Sequence, residues 1–335
     1  MPGGLAKPPA PHGCSGEPRT RRPNRWKAPA ARYGVRVSDE GSAAVPDAFE
    51  ANRRYLGSVA YRLLGSITDA EDILQEAWLR WQAVDRPRVA DPRAYLTTVV
   101  TRLCYDQLGS ARARREAYYG EWLPEPVITD DRTPDRLAEL GEEVSFALLA
   151  VMEQLTPAER AAFVLHDVFA IGFDEIAASL DRTPDATRQL ASRARRRIKA
   201  GQGRAGRGRV DAAEHRQAVH AFAAATAGGD IQALLAVLDP DVVWHSDGGG
   251  VVRAGVQPIV GADRVSRLVA GVVAKWFTPE VSFTFAQVNG ELGLVLYSSP
   301  GTVGGVVTFT VAGGRITEAY VVVNPEKLTR LQPAD

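Results

Sequence analysis

Residues 184–199 carry a run of cationic side chains that could bind a polyanion: Arg188, Arg193, Arg195, Arg196, Arg197 and Lys199. An N-terminal capping signature, Thr156-Pro157-Ala158-Glu159, begins a helix that runs to about Ala170. A short helix over 173–180 follows, and a tight turn at 181–184, with Thr183-Pro184 as its cap, leads into the basic helix. Two helices joined by a short turn, the second of them basic, are typical of a helix-turn-helix that enters the major groove. We predict that Arg188 and Gln189 contact base edges and that Arg193, Arg195 and Arg196 contact phosphates. The alternative is a solvated basic helix in an ordinary bundle.

A second candidate surface is the helix predicted over 69–81. Its apolar side carries Ile73, Ala77 and Trp81. The opposite side presents a set of polar side chains beside one leucine: Asp72, Gln75, Glu76 and Leu79. Exposed acids beside a leucine favour a docking face for a basic partner, and the alternative is a solvated helix face.

A third candidate surface lies at the end of the helix predicted over 91–116. This segment presents four cations and a tyrosine: Arg102, Tyr105, Arg112, Arg114 and Arg115. Cations interleaved with aromatic rings suit opened DNA, whose bases can stack.

Enzymatic chemistry has weaker support. A general base needs an oxyanion donor opposite it, and the sequence shows no such donor for His245 or Asp247. A lone strand histidine is more often structural, and an Asp before three glycines is a natural turn former. The five histidines are scattered and there is no cysteine pair. We therefore predict no catalytic residue, no metal and no cofactor.

Charge is distributed unevenly along the 335 residues, although 40 basic and 40 acidic side chains balance. Residues 1–37 hold eight basic and one acidic side chain, residues 181–209 ten and two, and residues 210–335 eight and twelve. This distribution indicates a nucleic-acid binder attached to an acidic domain. The absence of a run of about 18 apolar residues excludes a membrane span, and two cysteines favour the reducing cytoplasm.

The elements that position these side chains form a multidomain chain. We predict a disordered basic arm (1–45), a helical domain (46–117), a proline-rich acidic linker (118–140), a second helical domain with the helix-turn-helix (141–200), a hinge (201–210) and an α+β domain (211–335). In the last domain, four antiparallel strands at 280–288, 291–298, 304–311 and 315–323 are separated by Asn289-Gly290, Gly304-Gly305 and Gly313-Gly314.

Three segments, 69–81, 91–116 and 155–198, resemble the two conserved domains of bacterial extracytoplasmic-function sigma factors. Tyr119–Pro126, Asp247–Gly250 and Asn324–Leu328 resemble signatures of the subgroup with a fused C-terminal SnoaL-like domain. The resemblance implies two all-α domains, called region 2 and region 4, followed by a cone-shaped α+β domain of the SnoaL/NTF2-like type.

The resemblance also implies partners and roles. Asp72, Gln75, Glu76 and Leu79 would face the β′ subunit of core RNA polymerase, the 91–116 helix would read and melt the promoter −10 element, and the helix-turn-helix would read the −35 element while binding the β flap. Regulation in cis is expected at the linker and two C-terminal motifs, through Trp122, Pro124, Pro126, Asp247, Gly248, Gly249, Gly250, Asn324, Pro325 and Lys327.

The chain is then a promoter-specificity subunit with no enzymatic activity. It is expected to act in the cytoplasm, away from membranes, and to be monomeric when free, with ligand binding in the C-terminal pocket left open. The alternative is a helix-turn-helix repressor fused to a ligand-binding or isomerase/cyclase-type SnoaL domain. A repressor would have no use for the 69–81 docking helix.

Overall fold

The computed structural model describes residues 47–116, 118–129, 144–201, 211–276 and 281–331, except for the side chains of 110–116 and 276. The predicted arm, most of the hinge and the second half of the linker lie outside this set. So do the side chains of Arg112, Arg114 and Arg115, three of the predicted −10 contacts. Within the described residues, no helix has the length and hydrophobicity needed to cross a membrane.

The first helical domain contains α1 (Ala48–Leu64), α2 (Ile67–Gln82) and α3 (Pro92–Glu116), with a short 3-10 turn at Arg86–Arg88. Gly65 ends α1 in the left-handed conformation (φ 68°), and the Ser66 hydroxyl accepts from the amide of Asp69 to begin α2. Ile73, Ala77 and Trp81 are buried, so the apolar side predicted for α2 is confirmed.

The second helical domain contains α4 (Phe146–Met152), α5 (Pro157–Phe163), α6 (Phe173–Leu180) and α7 (Pro184–Gly201). The predicted capping box of Thr156 and Glu159 is confirmed. The helix continues beyond the α-helical part, which ends at Phe163, as a wider π turn over Val164–Val168, so its helical backbone ends within two residues of the predicted Ala170. The amide of Ile171 donates to the Leu165 carbonyl at 2.9 Å, and these backbone bonds end the helix before the turn into α6.

The two helical domains share one apolar core. Buried side chains of α1, α2 and α3 form a single cluster with those of the second domain, among them Leu149, Leu165 and Ile176. Val127 of the linker belongs to the same cluster. Because burial of apolar surface is the main stabilising term, this shared core holds the two domains together.

The C-terminal domain contains α8 (Ala212–Ala227), α9 (Ile231–Val237), β1 (Leu238–Asp247), β2 (Ile259–Val260), α10 (Ala262–Trp276), β3 (Ser282–Val288), β4 (Glu291–Ser299), β5 (Thr302–Ala312), β6 (Arg315–Val322) and α11 (Pro325–Leu328). Its six strands form one sheet in the order β2-β1-β6-β5-β4-β3. The α+β class is confirmed. The four strands predicted to be antiparallel are confirmed, and β1 joins them through a parallel pairing with β6.

One predicted hairpin signal in this domain is wrong. Gly304 and Gly305 lie inside β5, and the chain turns at Pro300-Gly301. A Cβ on Gly305 would lie 3.0 Å from the Val323 side chain, and one on Gly304 would lie 3.0 Å from Cβ of Ser298. A side chain at either position would therefore crowd its neighbours across the sheet. The other two signals, Asn289-Gly290 and Gly313-Gly314, do connect strands.

The two faces of the sheet pack against different partners, because neighbouring strand residues point to opposite faces. Odd-numbered β5 and β6 residues such as Phe309 and Val321 pack with α8, α9 and α10. Even-numbered residues such as Val306 and Tyr320 pack with Leu123 of the linker and Phe146 of α4. The second face therefore binds segments from outside the domain.

Candidate nucleic-acid interface and linker site

The described part of the linker, residues 118–129, runs in an extended form between the first helical domain and the C-terminal domain. Its central residues, Leu123 to Val127, are all buried. Two of them are the predicted regulatory residues Pro124 and Pro126. Buried backbone N–H and C=O groups need hydrogen-bond partners. The linker therefore needs partners in both the first helical domain and the C-terminal domain.

Asp247 is the main hydrogen-bond acceptor for the linker. Its side chain is fully buried, at 0% exposure. One carboxylate oxygen accepts from the Tyr118 hydroxyl at 2.6 Å and the other from the amide of Leu123 at 2.9 Å. The second oxygen also pairs with Nζ of Lys327 at 2.6 Å. The structure thus brings together Asp247 and Lys327, two residues whose sequence separation hides their contact.

Lys327 binds the linker directly as well. Its ammonium donates to the Leu123 carbonyl and lies 3.8 Å from the ring centre of Trp122. Burial lowers the pKa of Lys327, and the charge of Asp247 acts against that shift. A buried cation held by a carboxylate, a carbonyl and an aromatic face is well compensated only while the linker stays in place.

The small residues of the two C-terminal motifs allow this close packing. A Cβ on Gly249 (φ 64°) would lie 2.5 Å from the Asn324 side chain, and one on Gly248 would lie 2.1 Å from a backbone oxygen. Asn324 caps α11 and donates to the Tyr118 hydroxyl at 2.8 Å, while Pro325 occupies the first turn of α11. Gly250 packs beside Tyr119. All ten predicted regulatory residues therefore lie in or around one site.

Asn289 makes a second set of linker contacts that sequence reasoning missed. Its backbone N–H donates to the Val127 carbonyl at 2.8 Å, and its side-chain oxygen accepts from the backbone N–H of Val127 at 3.1 Å. Its side-chain nitrogen donates to the Tyr61 hydroxyl of α1 at 2.9 Å. Asn289 has a positive φ of 50°, as expected in an Asn-Gly turn. The turn signal was visible in the sequence, but the partner of the side chain was not.

Glu125 joins the linker to α2, and sequence reasoning missed it too. Its carboxylate accepts from the Ser66 hydroxyl and from the amide of Ile67, both at 2.8 Å. Burial raises the pKa of Glu125, and these hydrogen bonds oppose the shift. A carboxylate at the first turn of a helix is favoured by the exposed amides and the helix dipole. The linker therefore completes the N-terminus of α2.

The two candidate general bases are both engaged by the linker. Nδ1 of His245 lies 2.7 Å from the Glu121 carboxylate, and its ring stacks on Tyr320. A groove of about 460 Å³ in this domain is lined by Leu238, Val260 and neighbouring residues, and neither His245 nor Asp247 lines it. His245 and Asp247 therefore both have partners in the linker.

The predicted DNA-contacting face of α7 is exposed. All five candidates lie on its surface: Arg188, Gln189, Arg193, Arg195 and Arg196. Arg188 pairs with Asp185 of its own first turn at 2.6 Å, and Arg195 pairs with Asp167 at 2.7 Å. Arg193 lies 3.7 Å from Glu159. The Arg188–Asp185 pair is exposed and contributes little stability, so Arg188 can exchange this carboxylate for a group on DNA.

The predicted docking face of α2 is also exposed. Asp72, Gln75, Glu76 and Leu79 all lie on the surface, and Leu79 is 60% exposed. Glu76 pairs with Arg80 one turn later at 2.9 Å. The face predicted for docking is therefore accessible in the folded chain.

The predicted −10 residues have a different environment. Nη2 of Arg102 donates to the Ala178 carbonyl of α6 at 2.8 Å, and Nε lies 3.3 Å from the Ser179 carbonyl. These carbonyls belong to the last turn of α6, which has no helical partners for them. Tyr105 is half-buried. Region 2 and the helix-turn-helix are therefore in direct contact through Arg102.

A half-buried glutamate close to the Asn289 turn, which binds Val127, predicts that the stability of the fold depends on pH. Burial raises the pKa of Glu291, two residues after Asn289, from 4.5 to about 7. The folded chain then favours the protonated carboxyl, so this contribution to the free energy of unfolding is fully present below pH 4.5 and is lost as the pH rises through about 7. The free energy of unfolding should fall by on the order of 2 kcal/mol between these pH values, and Glu291→Gln should abolish this fall. Denaturant unfolding at each pH measures the effect. The exposed Glu50→Gln variant should keep this pH dependence. A Glu291→Gln variant with the same pH dependence as the parent would contradict the prediction.

Comparison with known families agrees with the order of these domains. Residues 48–114 match Sigma-70 region 2, residues 145–198 match Sigma-70 region 4, and residues 219–319 match the SnoaL-like domain. These matches support the predicted fold class and exclude the repressor alternative, which has no region 2.

Individual relatives cover most of the chain. It is 44% identical over 291 residues to the ECF RNA polymerase sigma factor SigJ of Mycobacterium tuberculosis, covering 84% of this chain and 92% of the relative. It is 35% identical over 290 residues to the probable ECF sigma factor SigI of the same species, covering 86% and 96%. The crystal structure of M. tuberculosis SigJ superposes with a TM-score of 0.70 at 40% identity, covering 84% of this chain and 97% of that one. The chain therefore belongs to the extracytoplasmic-function sigma factors of RNA polymerase and carries a C-terminal SnoaL-like domain.

Proposed function

We propose that this sigma factor exists in a closed form when free, and that its C-terminal domain controls opening by binding the linker. In this proposal the exposed face of α2 docks on the β′ subunit of core polymerase, α3 reads the −10 element and α7 reads the −35 element. The free chain is a monomer that acts in the cytoplasm and catalyses no reaction.

The contact of Arg102 with α6 carries the proposal. The −10 and −35 elements are centred about 25 base pairs apart, on the order of 85 Å of B-form DNA. Arg102, a predicted −10 contact, lies 2.8 Å from the helix that precedes the −35 reader. Two domains in hydrogen-bond contact cannot occupy two sites that far apart, so the closed chain must open to bind a whole promoter.

The C-terminal domain is suited to control that step because it contacts both sides of the joint. Leu123 of the linker and Phe146 of α4 pack on the same sheet face, and the Phe146 ring lies 5.7 Å from that of Tyr320. A covalently attached domain acts at a high effective concentration, so modest contacts suffice to hold the closed form. Breaking the linker contacts would weaken the closed form, which the shared apolar core and the Arg102 contact also stabilise.

Promoter binding tests the roles of the α7 side chains. Arg188→Ala and Gln189→Ala should each cost about 1–3 kcal/mol on a matched −35 site and relax preference at the contacted base, because each removes a base-edge contact. Arg195→Ala should weaken binding to matched and scrambled sites equally and reduce the salt dependence, because it removes a phosphate contact. Titrations of polymerase holoenzyme with labelled promoter at several salt concentrations measure both effects. Equal losses on matched and scrambled sites for all three variants would contradict the assignment.

A further inference from the structure

The docking face of α2 remains open in the closed chain, except at one end. Asp72, Gln75, Glu76 and Leu79 are exposed, whereas their neighbour Glu71 is bound by a residue of the C-terminal domain. The guanidinium of Arg330 pairs with the Glu71 carboxylate. Both side chains stay partly exposed, at 37% for Arg330 and 42% for Glu71, so this pair lies at the surface.

The electrostatic environment of Arg330 extends onto the docking face itself. The hydrogen bond with Glu71 raises the pKa of Arg330, and the charges of Glu71, Glu125 and Asp72 act in the same direction. Asp72 is one of the residues assigned to polymerase docking. Arg330 therefore already neutralises part of the acidic surface that a basic partner would bind.

Arg330 is also connected to the linker through a short stretch of chain. Lys327, three residues earlier, binds the Leu123 carbonyl and Asp247, and Leu328 packs with Leu123 in the apolar cluster on the sheet. The segment from Lys327 to Arg330 thus bridges the linker and α2. Displacing Arg330 from α2 would remove one attachment of this segment and leave those of Lys327, Leu328 and Leu331.

We propose that Arg330 binds the Glu71 carboxylate where a basic side chain of core polymerase binds it in the docked complex. Docking of the polymerase on α2 then displaces Arg330 and begins release of the linker. The polymerase is then both the partner and the signal for opening. The inference rests on the proposed docking role of α2 and adds the order of events: docking on the closed chain comes first and promoter binding second.

Competition of this kind predicts tighter docking when Arg330 is removed. Arg330→Ala, and Arg330→Gln with a longer uncharged side chain, should bind core polymerase about two- to five-fold more tightly, the range expected for loss of one competing surface ion pair. The gain should shrink as salt rises, because a surface pair is screened. Arg267→Ala is the matched control, since Arg267 forms an exposed pair with Asp263 elsewhere on the same domain. Titration of labelled full-length chain with core enzyme, at low and high salt, gives these affinities.

The same series separates failure of this inference from failure of the docking assignment. If Glu76→Arg binds core polymerase like the parent, the docking face is wrong and the role of Arg330 is overturned with it. If Glu76→Arg loses binding while both Arg330 variants bind like the parent or more weakly, only the competition by Arg330 is overturned. Tighter, salt-sensitive binding by both Arg330 variants, with Arg267→Ala unchanged, supports the proposal.

Discussion

Asp247→Asn should weaken the hold of the C-terminal domain on the linker by about 3–5 kcal/mol, because it removes one partner of a buried ion pair and leaves the other charged. The carboxylate is fully buried and binds Tyr118, Leu123 and Lys327. Amide hydrogen exchange at Val127 gives the cleanest measurement, because that amide is bound by Asn289 and lies away from the substitution. Its protection should fall by roughly 100-fold or more.

Two further variants distinguish release of the linker from general destabilisation. Asp263→Asn removes a carboxylate of the same domain that pairs with Arg267 on the surface, and it should change exchange at Val127 by less than about 1 kcal/mol. Asp247→Asn combined with Lys327→Met removes the unpaired buried charge and should recover part of the loss. Unchanged protection at Val127 in the single variant would show that the ion pair does not hold the linker.

Glu76→Arg should abolish binding to core polymerase while leaving the fold intact. Glu76 lies on the exposed face of α2, beside Leu79, where we expect a basic partner surface. Charge reversal replaces an attraction with a like-charge contact that costs several kcal/mol, so we expect a loss of at least about 100-fold in affinity. Co-elution with core enzyme and direct titration measure the effect.

Glu50→Arg is the matched control for this experiment. Glu50 is an exposed glutamate of α1 that pairs with Arg53, as Glu76 pairs with Arg80 on α2. Each substitution breaks one helical surface pair, worth a few tenths of a kcal/mol, and changes the net charge equally. Glu50→Arg should therefore keep binding. Undiminished binding by a Glu76→Arg variant that unfolds at the parent's denaturant concentration would refute the docking assignment.

In the closed arrangement the α2 and α7 surfaces predicted to bind partners are exposed, whereas other contacts hold the domains together. The α2 face and the α7 surface are exposed, so under the proposed roles the closed chain can bind either polymerase or one promoter element. Arg102 is bound to α6, and the buried linker ties both helical domains to the sheet. Release of the linker is thus the step at which control of promoter binding would act.

Local structure and the identity of the exposed surfaces could be predicted from the order of the amino acids. The capping box at Thr156, the buried side of α2 and the Asn289-Gly290 hairpin follow from hydrogen bonds and periodicities within a few residues. The exposed face that includes Glu76 and the basic face that includes Arg188 were predictable for the same reason. Similarity to the sigma factor family supplied their partners.

Only the tertiary structure decided how the regions meet. Asp247 and Lys327 are 80 residues apart, and Glu125 lies 58 residues from the Ile67 amide that it accepts from. No local pattern specifies such pairs, because the parallel pairing of β1 with β6 and the shared core bring them together. Asp247 and Asn289 both looked like turn formers in the sequence, since a turn needs only neighbouring backbone. Their hydrogen bonds with the linker were not predictable in this way, because the buried polar groups of the linker find these partners only in the folded chain.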